Sequence, residues 1–168
     1  SARIPFVLRL PPGLDVQKND ECPQVVGWED IMPTFLDLAG ANIPDSVEGK
    51  SVLNLLRGKN ANWRSYYHGE HSPCYHPENA NQFLTDGQWK FIWNPITGDE
   101  QLFHLETDPD ECHELSRNPG YTQTLELWRD RMISELQGRE EGLSDGENLI
   151  PGQVAAWRES DPGEVHLG

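Results

Sequence analysis

The chain has 168 residues, enough for one domain of ordinary size that buries roughly 70% of its unfolded surface. Its 28 Asp and Glu residues against 13 Lys and Arg give a formal charge of −15, which disfavours binding to nucleic acid and to anionic membrane surfaces. No stretch approaches the roughly 18 apolar residues that a membrane span needs, and three cysteines argue against a scaffold built on disulfides.

The N-terminal third of the sequence predicts one strand and two helices. The β-rich run "RIPFVLRL" is followed by Pro-Pro-Gly, the pattern of a strand closed by a turn. A helix is predicted at 28–39, with Pro33 in its first turn and Gly40 as its stop, and "EGKSVLNLLRG" predicts a second, short helix. The apolar residues at helical spacing in the first helix are Ile31, Phe35, Leu38 and Ala39.

The middle of the chain changes to a period of two residues. In "NQFLTDGQWKFIWNP", Asp86-Gly87 predicts a two-residue hairpin loop, and Trp89, Phe91 and Trp93 alternate with polar or smaller residues in the second arm. Lys90 in that arm is predicted to face solvent. "EQLFHL" predicts a further strand, which ends before a turn at Asp108-Pro109.

The C-terminal part predicts one amphipathic helix and a tail. Asn118 can cap this helix and Pro119 can start it. Its apolar stripe consists of Tyr121, Leu125, Trp128, Met132 and Leu136. From Arg139 the chain is rich in Gly, Asp and Glu, and its apolar residues Leu149, Ile150, Val154 and Trp157 can pack on the body. The predicted fold class is α+β, a small antiparallel sheet of about three or four strands packed against a C-terminal helix.

The segment "YYHGEHSPCYHPEN", residues 66–79, concentrates side chains that can carry chemistry. Its four candidate metal ligands are His68, His71, Cys74 and His76, and an acid, Glu70, lies among them. The donors suit zinc, but the spacings of three, three and two residues match none of the usual paired-ligand patterns. A solvated surface loop without chemistry and a substrate-binding loop are the two other interpretations.

Several segments, in this order, resemble the C-terminal part of the sulfatases of the alkaline-phosphatase-like superfamily. They are "RIPFVLRLPPG", "WEDIMPTFLDLAGANIP", "EGKSVLNLLRG", "DGQWKFI" and "EQLFHLETDPDECHEL". The resemblance covers about residues 3–137. Phe103-His104 replaces the Tyr-Asp of the family's "LYDL" signature, and Glu114 stands where asparagine is common.

The resemblance implies a fragment of a larger enzyme. Sulfatases hydrolyse sulfate esters with a formylglycine made from a C/S-x-P/A-x-R motif, and calcium is held by Asp and Asn oxygens. None of Cys22, Cys74 and Cys112 opens that motif, so we expect no cofactor in this chain and no activity of the chain alone. Calcium and formylglycine are implied for the full-length enzyme, upstream of this chain, and a periplasmic or secreted location is implied by the family.

The implied domain organisation has three parts. Residues 1–60 correspond to the C-terminal edge of the α/β catalytic domain, so the N-terminal strand and helix are left over from that domain. Residues 61–138 form the C-terminal subdomain, and 139–168 form an extended tail. The implied partners are the upstream catalytic domain and a sulfated small molecule or carbohydrate. Without that domain, the edge of residues 4–10 and the apolar face of the helix at 28–39 are expected to favour self-association.

In this interpretation four side chains of the 66–79 segment border the substrate cleft. They are His68, His71, His76 and Asn79, which can hydrogen-bond to sugar hydroxyls or to sulfate. We expect at least two of them to be accessible.

Two alternatives remain at this point. Six tryptophans also suit an independent carbohydrate-binding or interaction module, which must expose at least two coplanar indoles, whereas a sulfatase domain buries Trp89, Trp93 and Trp128. The second alternative is a phosphatase or phosphonate hydrolase of the same superfamily. Such an enzyme shares this architecture and differs in its nucleophile and metals, which lie upstream of this chain.

Overall fold

A computed structural model describes residues 4–14, 16, 21–58, 62–71 and 79–152. The helices are α1 (Ile31–Leu38), α2 (Leu53–Leu56) and α3 (Thr122–Leu136), and the strands are β1 (Tyr67–His71), β2 (Asn81–Thr85), β3 (Trp89–Trp93) and β4 (Glu100–His104). The chain divides into two compact units, Ser1–Tyr67 and His68–Gly168. The three-part domain organisation expected from the family stays a prediction.

The N-terminal unit is built around α1 and α2. A 3₁₀ turn at Trp28–Asp30 precedes α1, and Pro33 lies in its first turn, as predicted. The buried residues of this segment are Asp30 in the 3₁₀ turn and Pro33 and Thr34 in α1. The Thr34 hydroxyl accepts a hydrogen bond from Val52 N at 3.0 Å, just before α2. Polar side chains, Asp30 and Thr34, therefore point inward in this unit together with Pro33.

Residues 4–10 form no strand in this structure, which differs from the sequence prediction. Most of this stretch is exposed, including Val7 at 91%. A strand exists only when a neighbouring backbone completes its hydrogen bonds, and no described residue supplies that neighbour. The apolar run remains unpaired here.

The C-terminal unit is the predicted α+β arrangement. Its open sheet has the order β1-β2-β3-β4, with antiparallel pairs of β2 with β3 and of β3 with β4. Helix α3 packs against the sheet. Asn118 caps its N-terminal 3₁₀ turn by accepting a hydrogen bond from Gly120 N at 3.0 Å, as predicted. The fully buried core residues of the sheet and helix are Leu84, Phe91, Trp93, Leu102, Trp128, Met132 and Leu136.

The hairpin loop between β2 and β3 is longer than predicted. Three residues, Asp86–Gln88, connect the strands instead of two. The reason is the Asp86 carboxylate, whose Oδ1 accepts hydrogen bonds from the backbone N–H of Gln88 at 3.0 Å and of Trp89 at 2.7 Å. Gly87 has a φ of 92°, so the glycine at this position is required.

Lys90 is buried, and the prediction that it faces solvent is wrong. Its residue is 8% exposed, and its Nζ lies 2.5 Å from Glu111 Oε2. Glu111 belongs to the turn after β4 and has a φ of 56°. An ionic partner 21 residues away therefore compensates the burial of the ammonium.

The first part of the tail packs on the C-terminal unit. Leu143 is buried, and Ile150 N donates to Leu143 O at 2.9 Å while Ser144 and Leu149 form an isolated β-bridge. Val154 and Trp157 lie outside the described residues. Across the part of the chain that the structure describes, no helix is both long and apolar enough to cross a membrane.

Candidate functional site

The segment 66–79 is a strand at its start and not a continuous loop. Residues 67–71 form β1, and Asn79 lies two residues before β2. His76 and Cys74, two of the predicted ligands, lie outside the described residues. Because successive side chains of a strand point to opposite faces, His68 and His71 lie on opposite faces of the sheet. The structure does not bring these two histidines together.

His68 faces α3 and is held by polar partners. Its side chain is 15% exposed, and its Nε2 lies 2.7 Å from Gln82 Oε1 on β2. This distance is that of a hydrogen bond between the imidazole and the Gln82 side chain. His68 Nδ1 lies 3.9 Å from Glu135 Oε1 on α3. Both ring nitrogens are therefore directed at groups of the protein.

A second polar connection joins β1 to the turn after α3. Glu70, on the same face as His68, accepts a hydrogen bond from Arg139 Nη2 at 2.9 Å, and the same guanidinium is 2.9 Å from Glu141 Oε1. The hydrogen bonds to Glu141, with the neighbouring charge of Glu70, raise the pKa of Arg139 even though burial opposes this, so the side chain stays cationic. Sequence analysis missed Gln82, Glu135 and Arg139 as partners of β1.

His71 and Asn79 are exposed, as at least two of the four predicted substrate-binding residues should be. His71 shares its face of β1 with Gly69, where an added Cβ would lie 2.2 Å from the ring of Phe83. The side chains near His71 on this face thus include an aromatic ring packed directly against the strand backbone. Exposure is necessary for a substrate contact, and the role of both residues stays a prediction.

The described residues do not fit the calcium or the formylglycine implied by the family. No group of three or more His, Cys, Asp or Glu side chains among them is arranged to hold a metal ion. Neither a cysteine nor a serine of the 168-residue sequence opens a C/S-x-P/A-x-R motif. The part of the chain that the structure describes therefore offers neither a formylglycine nor a site for calcium.

Tryptophan burial argues against an independent sugar-stacking module. Trp93 and Trp128 are buried as expected, and Trp89 is half-buried with its ring edge-on to His104 at 4.4 Å between centroids. Among the described tryptophans only Trp28 is exposed, at 68%. A platform of two coplanar exposed indoles is absent from the described part of the chain.

Comparisons with known proteins agree with the fold. Residues 1–138 match the family model described as N-sulphoglucosamine sulphohydrolase, C-terminal. The chain is 42% identical over 153 residues to an arylsulfatase of Clostridium perfringens, covering 90% of this chain and 31% of that protein. It is 35% identical over 137 residues to arylsulfatase K of Mus musculus, covering 75% of this chain and 24% of that protein.

Solved structures show the same architecture. A structure described as a 2-O GAG sulfatase has a TM-score of 0.58 and 26% identity, covering 64% of this chain and 24% of that one. A phosphonate monoester hydrolase from Silicibacter pomeroyi has a TM-score of 0.53 at 22% identity, covering 64% of this chain and 24% of that one, which shows the shared fold alone. The chain spans about a third or less of these relatives. On the family match and the 42% identity, the chain belongs to the C-terminal domain family of the sulfatases.

Proposed function

We propose that this domain completes an enzyme that hydrolyses sulfate esters of carbohydrates. The observation that carries the proposal is the family match over residues 1–138, together with 42% identity to an arylsulfatase. The carbohydrate class is supported by the names of relatives, among them an N-acetylglucosamine-6-O-sulfatase of Bacteroides thetaiotaomicron. The catalytic residues lie in the part of the protein upstream of this chain, and calcium and formylglycine act there. Family resemblance is also the support for a periplasmic or secreted location.

The full-length protein is expected to hydrolyse 4-nitrophenyl sulfate, and the 168-residue chain alone is expected to show no turnover. The reason is that the chain lacks a formylglycine motif, so no nucleophile is available in it. The measurement is nitrophenol release by both purified proteins with calcium added. Turnover by the chain that survives repurification would contradict its assigned role, and a silent full-length protein would contradict the sulfatase assignment.

The role of the N-terminal unit in this enzyme is to dock on the upstream domain. Trp28, Met32 and Phe35 recur at helical spacing on the outer face of the 3₁₀ turn and α1, and they are 68%, 48% and 60% exposed. We name these three residues the α1 stripe. The relatives are three to four times longer than this chain, and the matching family is a C-terminal domain, so the missing neighbour precedes it. An exposed apolar stripe of this kind is typical of an interface.

Phe35→Glu is expected to destabilise the full-length protein by about 2 kcal/mol or more, because a charge replaces a buried ring at the domain interface. In the isolated chain the same change should reduce self-association, because the α1 stripe has lost its neighbour there. Asn54→Glu, at an exposed position of α2, is the control. It should change neither the stability of the full-length protein nor the self-association of the isolated chain. Denaturant unfolding and sedimentation velocity measure the two effects. An unchanged full-length stability with Phe35→Glu would show that another surface carries the docking.

The second role of the domain is to contribute to substrate specificity. His71 and Asn79 are accessible and carry donors and acceptors for sugar hydroxyls and for sulfate oxygens. His76 belongs to the same segment and is proposed to share this role. Such contacts would increase discrimination between sulfated substrates without taking part in bond cleavage.

A further inference from the structure

Strand β1 is an edge strand. In the sheet order β1-β2-β3-β4 only β2 is hydrogen-bonded to it. Its final residue is His71, so the position of the His71 side chain depends on how firmly β1 is held. Edge strands have one open side, and other contacts must hold them where function needs a fixed position.

Side chains from one face of β1 reach α3 and the turn that follows it. His68 bonds Gln82 of β2 at 2.7 Å, and Glu70 pairs with Arg139, which follows α3, at 2.9 Å. Glu135 Oε1 on α3 lies 3.9 Å from His68 Nδ1, which is too far for a hydrogen bond. We name these five residues the β1 clamp. All five belong to the C-terminal unit, so the β1 clamp is complete within it.

The two halves of the β1 clamp differ in strength. Gln82 is 8% exposed, and the loss of His68 would leave a buried amide without that hydrogen-bond partner. The Glu70 and Arg139 side chains are 50% and 30% exposed, so water weakens their attraction. His68 is therefore the member on which the clamp depends most.

We propose that His68 is a positioning residue: through its hydrogen bond to Gln82 it holds β1 against β2 and thereby places His71 for substrate, and it does not bind substrate itself. The inference rests on the proposed specificity role of His71. It replaces the interpretation of His68 as a substrate ligand, because both of its ring nitrogens are directed at the protein and its face is the one covered by α3. His71 lies on the other face and is exposed.

Kinetics of the full-length enzyme test the proposal. The substrates are 4-nitrophenyl sulfate and the fastest-hydrolysed member of a panel of N-, 2-O- and 6-O-sulfated glucosamines. For the sugar, His71→Ala should raise KM about tenfold, as expected for one lost hydrogen bond, with kcat nearly unchanged. His68→Ala should also raise KM for the sugar. His68→Gln keeps an N–H that can reach Gln82 and should restore most of the wild-type KM. The hydrolysis of 4-nitrophenyl sulfate should be little affected by any of these three changes.

The double variant separates positioning from direct binding. If His68 acts only through His71, the loss in His68→Ala/His71→Ala should equal that of His71→Ala alone, because the contact being positioned is already gone. A KM for the sugar that rises by the product of the two single effects would show that His68 contacts substrate independently. That result would overturn the proposal.

Hydrogen exchange gives a readout that does not depend on activity. His68→Ala should speed amide exchange in a peptide covering β1 and leave β3 unchanged, since β3 is central and β1 is at the edge. His113→Ala, on an 81% exposed side chain of the same unit, is the matched control and should change neither. Unchanged exchange of β1 in His68→Ala would overturn the clamp. Faster exchange of β1 combined with no effect of His71→Ala on any substrate would support the clamp and contradict the proposed specificity role.

Discussion

Replacing Arg64 with alanine is expected to lower the free energy of unfolding of the N-terminal unit by about 3–5 kcal/mol. Its guanidinium forms two parallel hydrogen bonds to the fully buried Asp30 carboxylate, Nη1 to Oδ2 at 2.6 Å and Nη2 to Oδ1 at 2.7 Å. The backbone N–H groups of Gly27 and Lys50 also donate hydrogen bonds to the Asp30 carboxylate, at 2.8 Å each. Without Arg64 the buried charge keeps only the two amide donors.

A matched control is available in the same unit. Arg57 lies 3.6 Å from Asp37, with the two side chains 31% and 26% exposed, so Arg57→Ala should cost at most about 1 kcal/mol. Urea titration read by hydrogen exchange in peptides of the N-terminal unit measures both variants. A loss of similar size in the two variants would show that the Asp30 pair contributes no more than a surface ion pair.

The same ion pair gives a pH dependence of defined sign. Burial alone would raise the pKa of the Asp30 carboxyl, but hydrogen bonds from Arg64, Lys50 and Gly27 outweigh burial and lower it. A lowered folded-state pKa contributes stability that is complete above the ordinary value near 3.8 and is lost as pH falls through the folded-state pKa. In Arg64→Ala the guanidinium no longer offsets burial, so the pKa of the Asp30 carboxyl should rise above its ordinary value. The folded variant then takes up a proton as the pH falls, which stabilises it relative to its unfolded state. The difference in free energy of unfolding between wild type and Arg64→Ala should therefore shrink between about pH 7 and about pH 4. A difference that grows on acidification would contradict this account.

Local patterns were sufficient for most of the C-terminal unit. The period of two in β3 and the helical spacing of Leu125, Trp128 and Met132 each mark a buried face, and Asn118 with Pro119 marks the start of the helical segment. These signals lie within a few residues of one another. Strands β2, β3 and β4 and the covering helix were therefore predictable from sequence, whereas β1 was not.

Contacts between distant residues were not predictable in this way. Lys90 looked like a solvated strand lysine because its partner Glu111 is 21 residues away, beyond a turn whose path no local pattern defines. Asp30 and Arg64 are 34 residues apart. Residues 4–10 differ in the opposite way, because their local pattern predicts a strand that the structure does not form. A strand needs a neighbouring strand to pair with, and the described residues do not provide one here.

The candidate site was predictable in composition but not in arrangement. The histidines were recognised, yet treating 66–79 as a loop concealed that His68 and His71 point to opposite faces of β1. The signal that could have revealed this is the aromatic pair Tyr66-Tyr67 before the first histidine, which favours a strand. The partners on α3 required the tertiary structure.

Trp128→Ala is expected to cost the C-terminal unit about 3–5 kcal/mol, because the indole is fully buried and its removal leaves a cavity. Trp128 lies in the middle of α3 on the face that covers the sheet. The guanidinium of Arg131 lies over its ring, 4.5 Å from the centroid, so the change also removes a cation–π contact.

Leu127→Ala is the control for Trp128→Ala, since Leu127 is the preceding residue of the same helix and is 50% exposed. Alanine suits a helix as well as leucine does, so this change should lie within about 0.5 kcal/mol of wild type. Urea unfolding followed by far-ultraviolet circular dichroism measures both variants, because α3 is the longest helix described, with 15 residues. If the two variants were equally stable, the stripe on α3 would not be the core of this unit.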